Sequence, residues 1–185
     1  MTYLLIIALV LFSCLLLLAG FWTISSFIGV IIAWGVPYVP LSKYQLSLLK
    51  KNVKVSKDDK VVDLGCGDGR VLFTFEEMGV ENLVGYEVNA WAYVISVLKK
   101  KIRRSKAKLY LKNFNPIDLS EYNIVFCYLL PYYLDKIEGK LKKELKPGAK
   151  VISFGFEFKN WKPVEIICTD QKNKRLNRIF VYKID

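Results

Sequence analysis

The residues best suited to chemistry form one short run, Asp63-Leu-Gly-Cys-Gly-Asp-Gly-Arg70. Glycines let the backbone turn sharply and approach a ligand closely, and the amides that open a following helix can hold its polar atoms. The spacing is G-x-G-x-G with an acid in front, which differs from the G-x-G-x-x-G dinucleotide fingerprint. Asp63, Gly65, Cys66, Gly67 and Gly69 are therefore candidate cofactor-binding residues. Glu87 lies 20 residues after Gly67, inside Gly85-Tyr-Glu-Val-Asn89. Rossmann-like folds place an acid there on ribose hydroxyls, so Glu87, Val88 and Asn89 join the cofactor set. Asn113 is suited to hydrogen-bonding an adenine edge, with Phe114 as an apolar wall.

A second group is aromatic. Tyr128-Leu-Leu-Pro-Tyr-Tyr133 follows an apolar run, and such a loop can strip water from an amine and align it. Tyr128, Pro131, Tyr132 and Tyr133 are the candidate catalytic residues, with Glu157 placed to attract a cationic acceptor. The chain has no histidine, which excludes Ser-His-Asp, Cys-His and His-metal chemistry. Its four cysteines, Cys14, Cys66, Cys127 and Cys168, have neither CxxC nor zinc-like spacing. They read as reduced thiols and not as metal ligands.

The elements that must position these residues alternate. Strands are predicted at Lys60–Leu64, Leu83–Val88, Lys108–Lys112, Asn123–Leu129, Ala149–Phe158, Val164–Thr169 and Arg178–Ile184. Helices are predicted over Gly69–Met78, Ala90–Arg104 and Leu134–Leu145. Ser42 can cap a short amphipathic helix running to about Lys51. Alternation of this kind implies an α/β fold, a mostly parallel sheet with helices on both faces. The short polar link Asp170–Asn177 makes the last two strands an antiparallel hairpin. Between the third and fourth strands Asn113–Tyr122 replaces a helix.

The Asp63–Arg70 loop resembles motif I of methyltransferases, and a parallel sheet ending in a hairpin is similar to class I methyltransferases, which are Rossmann-like. Three groups of residues resemble the mitochondrial ATP synthase c-subunit lysine methyltransferase family and its prokaryotic relatives. These are Gly35-Val-Pro-Tyr-Val-Pro-Leu-Ser42 with the two glycine motifs, Asp118-Leu-Ser-Glu-Tyr122 with Pro131, and Phe154–Trp161. The resemblance spans roughly residues 35–163. It implies S-adenosylmethionine as methyl donor, S-adenosylhomocysteine as product, no metal, and a protein substrate with an accessible lysine of the ATP synthase c-subunit kind. It also places Pro37 and Tyr38 beside the cofactor and acceptor. The chain departs from that family in its shortness, in lacking an Arg-rich transit peptide, and in carrying Glu157 where an apolar residue or proline is expected.

Charge divides the chain. Met1–Ser42 carries no charged residue, whereas all 28 basic and 17 acidic residues follow, giving a net charge of +11. Leu4–Trp34 is an apolar run of 31 residues, long enough to span a bilayer core once, with Trp22 and Trp34 suited to its interfaces. A secretory leader would have a positively charged start, which Met-Thr-Tyr lacks. Lys43, Lys50, Lys51, Lys54 and Lys57 follow the run and place the remainder on the cytoplasmic, or matrix-equivalent, side. The expected organisation is a transmembrane anchor over 1–34, a pre-domain segment over 35–57 and a methyltransferase domain over 58–185. Lys99–Lys108, with seven basic residues in ten, reads equally as a solvated helix end or a contact for anionic headgroups. Rival activities are a lipid or small-molecule methyltransferase at the membrane and a nucleic-acid amino-methyltransferase. The nucleic-acid reading is disfavoured because Leu129 stands where such enzymes need a polar residue. A cofactor-binding module without activity fits poorly with an intact glycine loop.

Overall fold

The computed structural model describes residues 2–32, 39–168 and 177–185, for residues 2, 26–32 and 168 in their backbone only. Pro37, Tyr38, Trp34 and most of the Asp170–Asn177 link lie outside the described residues. The chain runs α1 (Thr2–Ile32), α2 (Lys43–Asn52), β1 (Lys60–Leu64), α3 (Arg70–Glu77), β2 (Asn82–Glu87), α4 (Ala90–Arg103), β3 (Lys108–Leu111), β4 (Ile124–Cys127), α5 (Pro131–Glu144), β5 (Lys150–Phe154), β6 (Glu165–Cys168) and β7 (Arg178–Lys183).

Seven strands form one sheet in the order β3-β2-β1-β4-β5-β7-β6. β3, β2, β1, β4 and β5 pair in parallel, whereas β7 runs antiparallel to both β5 and β6. β1 and β4 read as near-continuous apolar runs because helices cover both sheet faces, and every residue of β4 is buried. Val62, Val125 and Val151 contribute to one core layer, with Leu134, Ile137 and Leu141 of α5. Val61, Phe126 and Ile152 contribute to the other, with Leu72 and Phe75 of α3. Leu41, Leu49 and Val53 belong to this second layer, so the segment around α2 is part of the folded body. Ser42 caps α2 with a full capping box: the Gln45 amide donates to Ser42 Oγ at 3.2 Å, and the Ser42 amide donates to Gln45 Oε1 at 2.9 Å.

Three predicted boundaries shift for local reasons. α5 begins at Pro131, which suits a first helical position because its missing N–H has no role there. β5 stops at Phe154 because Gly155 turns the chain with φ 79°, so the predicted strand to Phe158 is shortened. β4 is likewise shorter than Asn123–Leu129. No helix intervenes between β3 and β4, as the sequence implied.

α1 is the one helix among the described residues long and apolar enough to cross a membrane, and the most apolar stretch of Tyr3–Ser25 is not buried against the rest of the chain. Its Leu and Ile side chains from Leu4 to Leu18 are exposed.

Two glycines carry opposite expectations. A Cβ at Gly85 on β2 would lie 2.6 Å from Leu72 and 2.7 Å from Cys66 Sγ, so Gly85→Ala should destabilise the fold by about 1–3 kcal/mol. Gly139, inside α5, is open on all sides, and Gly139→Ala should stabilise by roughly 0.5–1 kcal/mol. Urea denaturation of the two variants beside the wild type checks both signs.

Candidate active site

The glycine loop links β1 to α3 at the carboxyl end of the sheet, beside the point where strand order reverses between β1 and β4. Open α/β sheets bind ligands at such a crevice. Gly65, Gly67 and Gly69 have φ of 84°, 55° and 79°, the left-handed region that a side chain disfavours. A cavity of about 270 Å³ opens beside the loop, and its lining comes from α1, β1, α3, β2, α4, β4 and α5 and from the loops between them.

Glu87 sits at the centre of the loop's geometry. It is buried (7 % exposed). Its Oε2 accepts from the Gly67 amide at 2.7 Å, and its Oε1 accepts from the Val88 and Asn89 amides at 2.8 and 2.7 Å. Burial pushes its pKa up, against the pull of these amides. Asp63 is more deeply buried (2 % exposed). Burial first, then the charges of Glu87 and Asp68, push its pKa well above the ordinary carboxyl range. Among the described residues no basic side chain pairs with it, although it lines the cavity. Such a carboxylate is a place for a bound cation.

Asp68 has the opposite setting. Burial opposes its charge, but Arg70 and Lys99 outweigh burial and hold its pKa at about 2. Arg70 Nε donates to Oδ1 at 2.8 Å and Nη2 to Oδ2 at 2.6 Å, the bidentate geometry of a strong pair. Lys99 of α4 joins Oδ2, and Arg70 Nη1 donates to the Leu41 carbonyl at 2.5 Å. The loop is thereby clamped to α4 and to the segment before α2. This changes the reading of the basic run: Lys99 is engaged with Asp68, and Arg103 pairs with Glu77 at 2.9 Å.

The sequence-derived residues fall into two groups. Asp63, Gly65, Cys66, Gly67, Glu87, Val88, Asn89, Asn113, Phe114, Tyr128 and Tyr133 all line the cavity. Gly69 instead sits at the start of α3, where a Cβ would meet the Phe73 ring at 2.9 Å. Pro131 and Tyr132 are exposed at the start of α5 and Glu157 is exposed beyond β5, none of them in the cavity wall. Tyr132 lies under Lys136, 4.3 Å from its ring centroid. Tyr133 packs edge-on to Phe114 at 5.7 Å and accepts from Asn115 Nδ2 at 3.4 Å. Tyr128 stacks on Phe156 at 6.3 Å. Burial pushes the phenol pKa of both tyrosines up, so both hydroxyls keep their protons at neutral pH.

Sequence reasoning missed Trp22 and Trp91 as wall residues, and no local signal pointed to either. It also missed the Asp68–Lys99 pair, which joins residues 31 apart.

Comparison with known proteins agrees with this geometry. The model of the ANTKMT methyltransferase domain matches residues 63–165. A protein-lysine N-methyltransferase of Saccharolobus islandicus is 36% identical over 152 residues, covering 80% of this chain and 94% of that protein. The ATP synthase c-subunit lysine N-methyltransferase of Xenopus laevis is 32% identical over 133 residues, covering 71% of this chain and 58% of that protein. The chain thus spans nearly all of the archaeal relative but little over half of the vertebrate one. An RNA methyltransferase from Salinibacter ruber, solved with S-adenosyl-L-homocysteine, superposes with a TM-score of 0.70 at 25% identity, over 79% of this chain and 94% of that one.

The clamp predicts an acid-dependent stability. Asp68 has its folded pKa below the ordinary value of about 4, so its contribution is present above that value and is lost as pH falls towards about 2. Asp68→Asn should lose about 1–3 kcal/mol at neutral pH, and its deficit against the wild type should shrink below pH ~4. Denaturation midpoints measured across that range check the sign.

Proposed function

We propose a protein-lysine N-methyltransferase acting at a membrane, from a plain premise: the chain belongs to the ANTKMT methyltransferase domain family. S-adenosylmethionine is its methyl donor. The observation that carries the reading is the buried Asp63 beside the glycine loop, without a basic partner among the described residues, in a cavity that aromatic side chains also line.

The residues fit this donor by charge and by shape. The Gly65–Gly69 backbone would receive its amino-acid end, Asp63 its ammonium, Glu87 its ribose hydroxyls, and Asn113 with Phe114 its base. The donor supplies a methyl group on a positively charged sulfur. The protein's task is to bring a neutral amine in line with that carbon, opposite the sulfur. The acceptor amine would give up its proton to water before transfer; its lone pair would then take the methyl carbon, with the pair of the carbon–sulfur bond left on sulfur and the product released as the methylated ammonium. A free lysine holds its proton up to a pKa of about 10.4, and an apolar wall lowers that value. Phe114, Tyr128, Leu129 and Tyr133 form such a wall. Tyr133, protonated and held by Asn115, can orient the amine.

Val39, Pro40 and Leu41 also line the cavity, which supports the pre-domain segment as a side of the acceptor slot. Pro37 and Tyr38 belong to that proposal although they lie outside the described residues. Pro131 and Tyr132 shape the loop's exit into α5, and Glu157 would attract an incoming cation only from outside the cavity. Leu129, buried and apolar, cannot hold a nucleobase amine, which favours lysine over nucleic acid. Lysine-bearing proteins of the ATP synthase c-subunit or adenine nucleotide translocase kind are the substrate class that relatives suggest.

We also infer that α1 is a retained anchor crossing the membrane once, with the catalytic body on the cytoplasmic or matrix-equivalent side. Support comes from its length, its composition and the lysines that follow it.

Calorimetry with S-adenosylhomocysteine should show binding to the wild type and none to Gly67→Arg. Affinity should fall with pH, because protonating Asp63 removes the charge opposite the ligand's ammonium. The raised Asp63 pKa makes this loss begin above the usual carboxylate range. Asp63→Asn should bind more weakly and with a flatter pH profile, and equal profiles would overturn the assignment of Asp63.

For the acceptor, Tyr133→Ala should lower turnover on a lysine substrate by on the order of 10²-fold. Cofactor affinity should stay within a few-fold, and steady-state kinetics beside calorimetry separate the two quantities.

A further inference from the structure

α1 contributes more to the body than the chain connection. Its most apolar stretch is bare, yet the turn from Phe21 to Ser25 is docked. Ser25 is buried (7 % exposed). Its Oγ accepts from the Trp91 amide at 3.1 Å and donates to Asn89 Oδ1 at 3.4 Å. Phe21, one turn earlier, meets the Trp91 ring edge-on with centroids 6.2 Å apart. Trp22 and Ser25, three residues apart, share a helix face, and Trp22 lines the same cavity as Trp91, Val88 and Asn89.

The contacts continue inward. Asn89 accepts from the Ala92 amide at 3.0 Å and so caps α4, while its own amide donates to Glu87 Oε1. The other oxygen of Glu87 holds the Gly67 amide. An unbroken hydrogen-bonded path therefore runs from Ser25 through Asn89 and Glu87 to the glycine loop. It reaches the site at Glu87.

We propose that the end of α1 is a wall of the cofactor site, with Trp22 closing the Glu87 side over the adenosine portion of the methyl donor and Ser25 holding it there. The proposal rests on the S-adenosylmethionine-dependent reading and adds a binding residue from outside the methyltransferase domain. A tryptophan suits this place because an aromatic face stacks on a purine, and because its amphipathic ring tolerates the boundary between lipid and water.

The test uses the full chain in detergent micelles or nanodiscs, with S-adenosylhomocysteine as the probe. Trp22→Leu, which keeps apolar bulk but loses the ring, should weaken binding by about ten-fold or more, and Trp22→Phe should restore most of it. Ser25→Ala, which removes its hydrogen bonds to Trp91 and Asn89, should weaken binding by about five-fold. Leu15→Ala, on the exposed part of α1, should bind as the wild type does. In turnover assays Trp22→Leu should raise KM for the methyl donor and leave KM for the lysine acceptor unchanged. Wild-type affinity in Trp22→Leu overturns the proposal while leaving the cofactor reading intact, and a raised acceptor KM with unchanged donor KM overturns it too. Failure of the wild type itself to bind the probe removes the cofactor reading and the proposal together.

Discussion

The carboxylate of Glu87 accepts three backbone N–H groups, one from the glycine loop and two from the turn that leaves β2. Both connections emerge from adjacent parallel strands, and each would otherwise be a mobile loop over an open sheet edge. Tied through one rigid, charged group, they become a single surface. Much else follows from that tie: the start of α4, the aim of Asn89, and the distance at which Gly85 must approach Cys66 without a side chain between them. A burial penalty on Glu87 is the cost, visible in its raised pKa. Those same hydrogen bonds keep it available as an acceptor for hydroxyl groups.

Around Glu87 the field is uneven. Three acids lie within one loop and one strand end of a chain whose net charge is +11. Asp68 is neutralised by Arg70 and Lys99 and acts as a fastening. Asp63 has no such partner among the described residues and keeps its attraction for a ligand. Two carboxylates five residues apart thus have separate tasks, set by which neighbours the fold brings to each.

Much of this was legible in the sequence because it is local. Left-handed glycines, a capping serine, a proline that opens a helix and an acid at a strand end each act within a few residues. The parallel sheet followed from alternation, and the hairpin at its end from a short link. What escaped was non-local or carried two meanings. Lys99 looked like one of seven exposed basic residues until α4 folded back on the loop. Trp22 read as an interface residue of an apolar helix, and nothing in its neighbours tells which way that face points. Glu157 drew attention by its charge, yet Gly155 turns the chain and leaves it exposed outside the cavity. Tyr132 and Tyr133 are adjacent, but the helix sends one into the wall and the other to solvent.

The lack of a helix between β3 and β4 has a further effect at the margin of the sheet. β3 is an edge strand of only four residues, with Tyr110 and Leu111 exposed. A bare row of backbone donors and acceptors beside apolar side chains invites a second chain to add itself, the first step towards aggregation. Lys106, Lys108 and Lys112 lie in and around this strand, and Lys112 sits over the Tyr110 ring at 5.9 Å. Positive charge along an edge makes like-with-like pairing of copies repulsive. Part of the chain's basicity is thereby accounted for without any partner: it guards a border that a shortened fold leaves open.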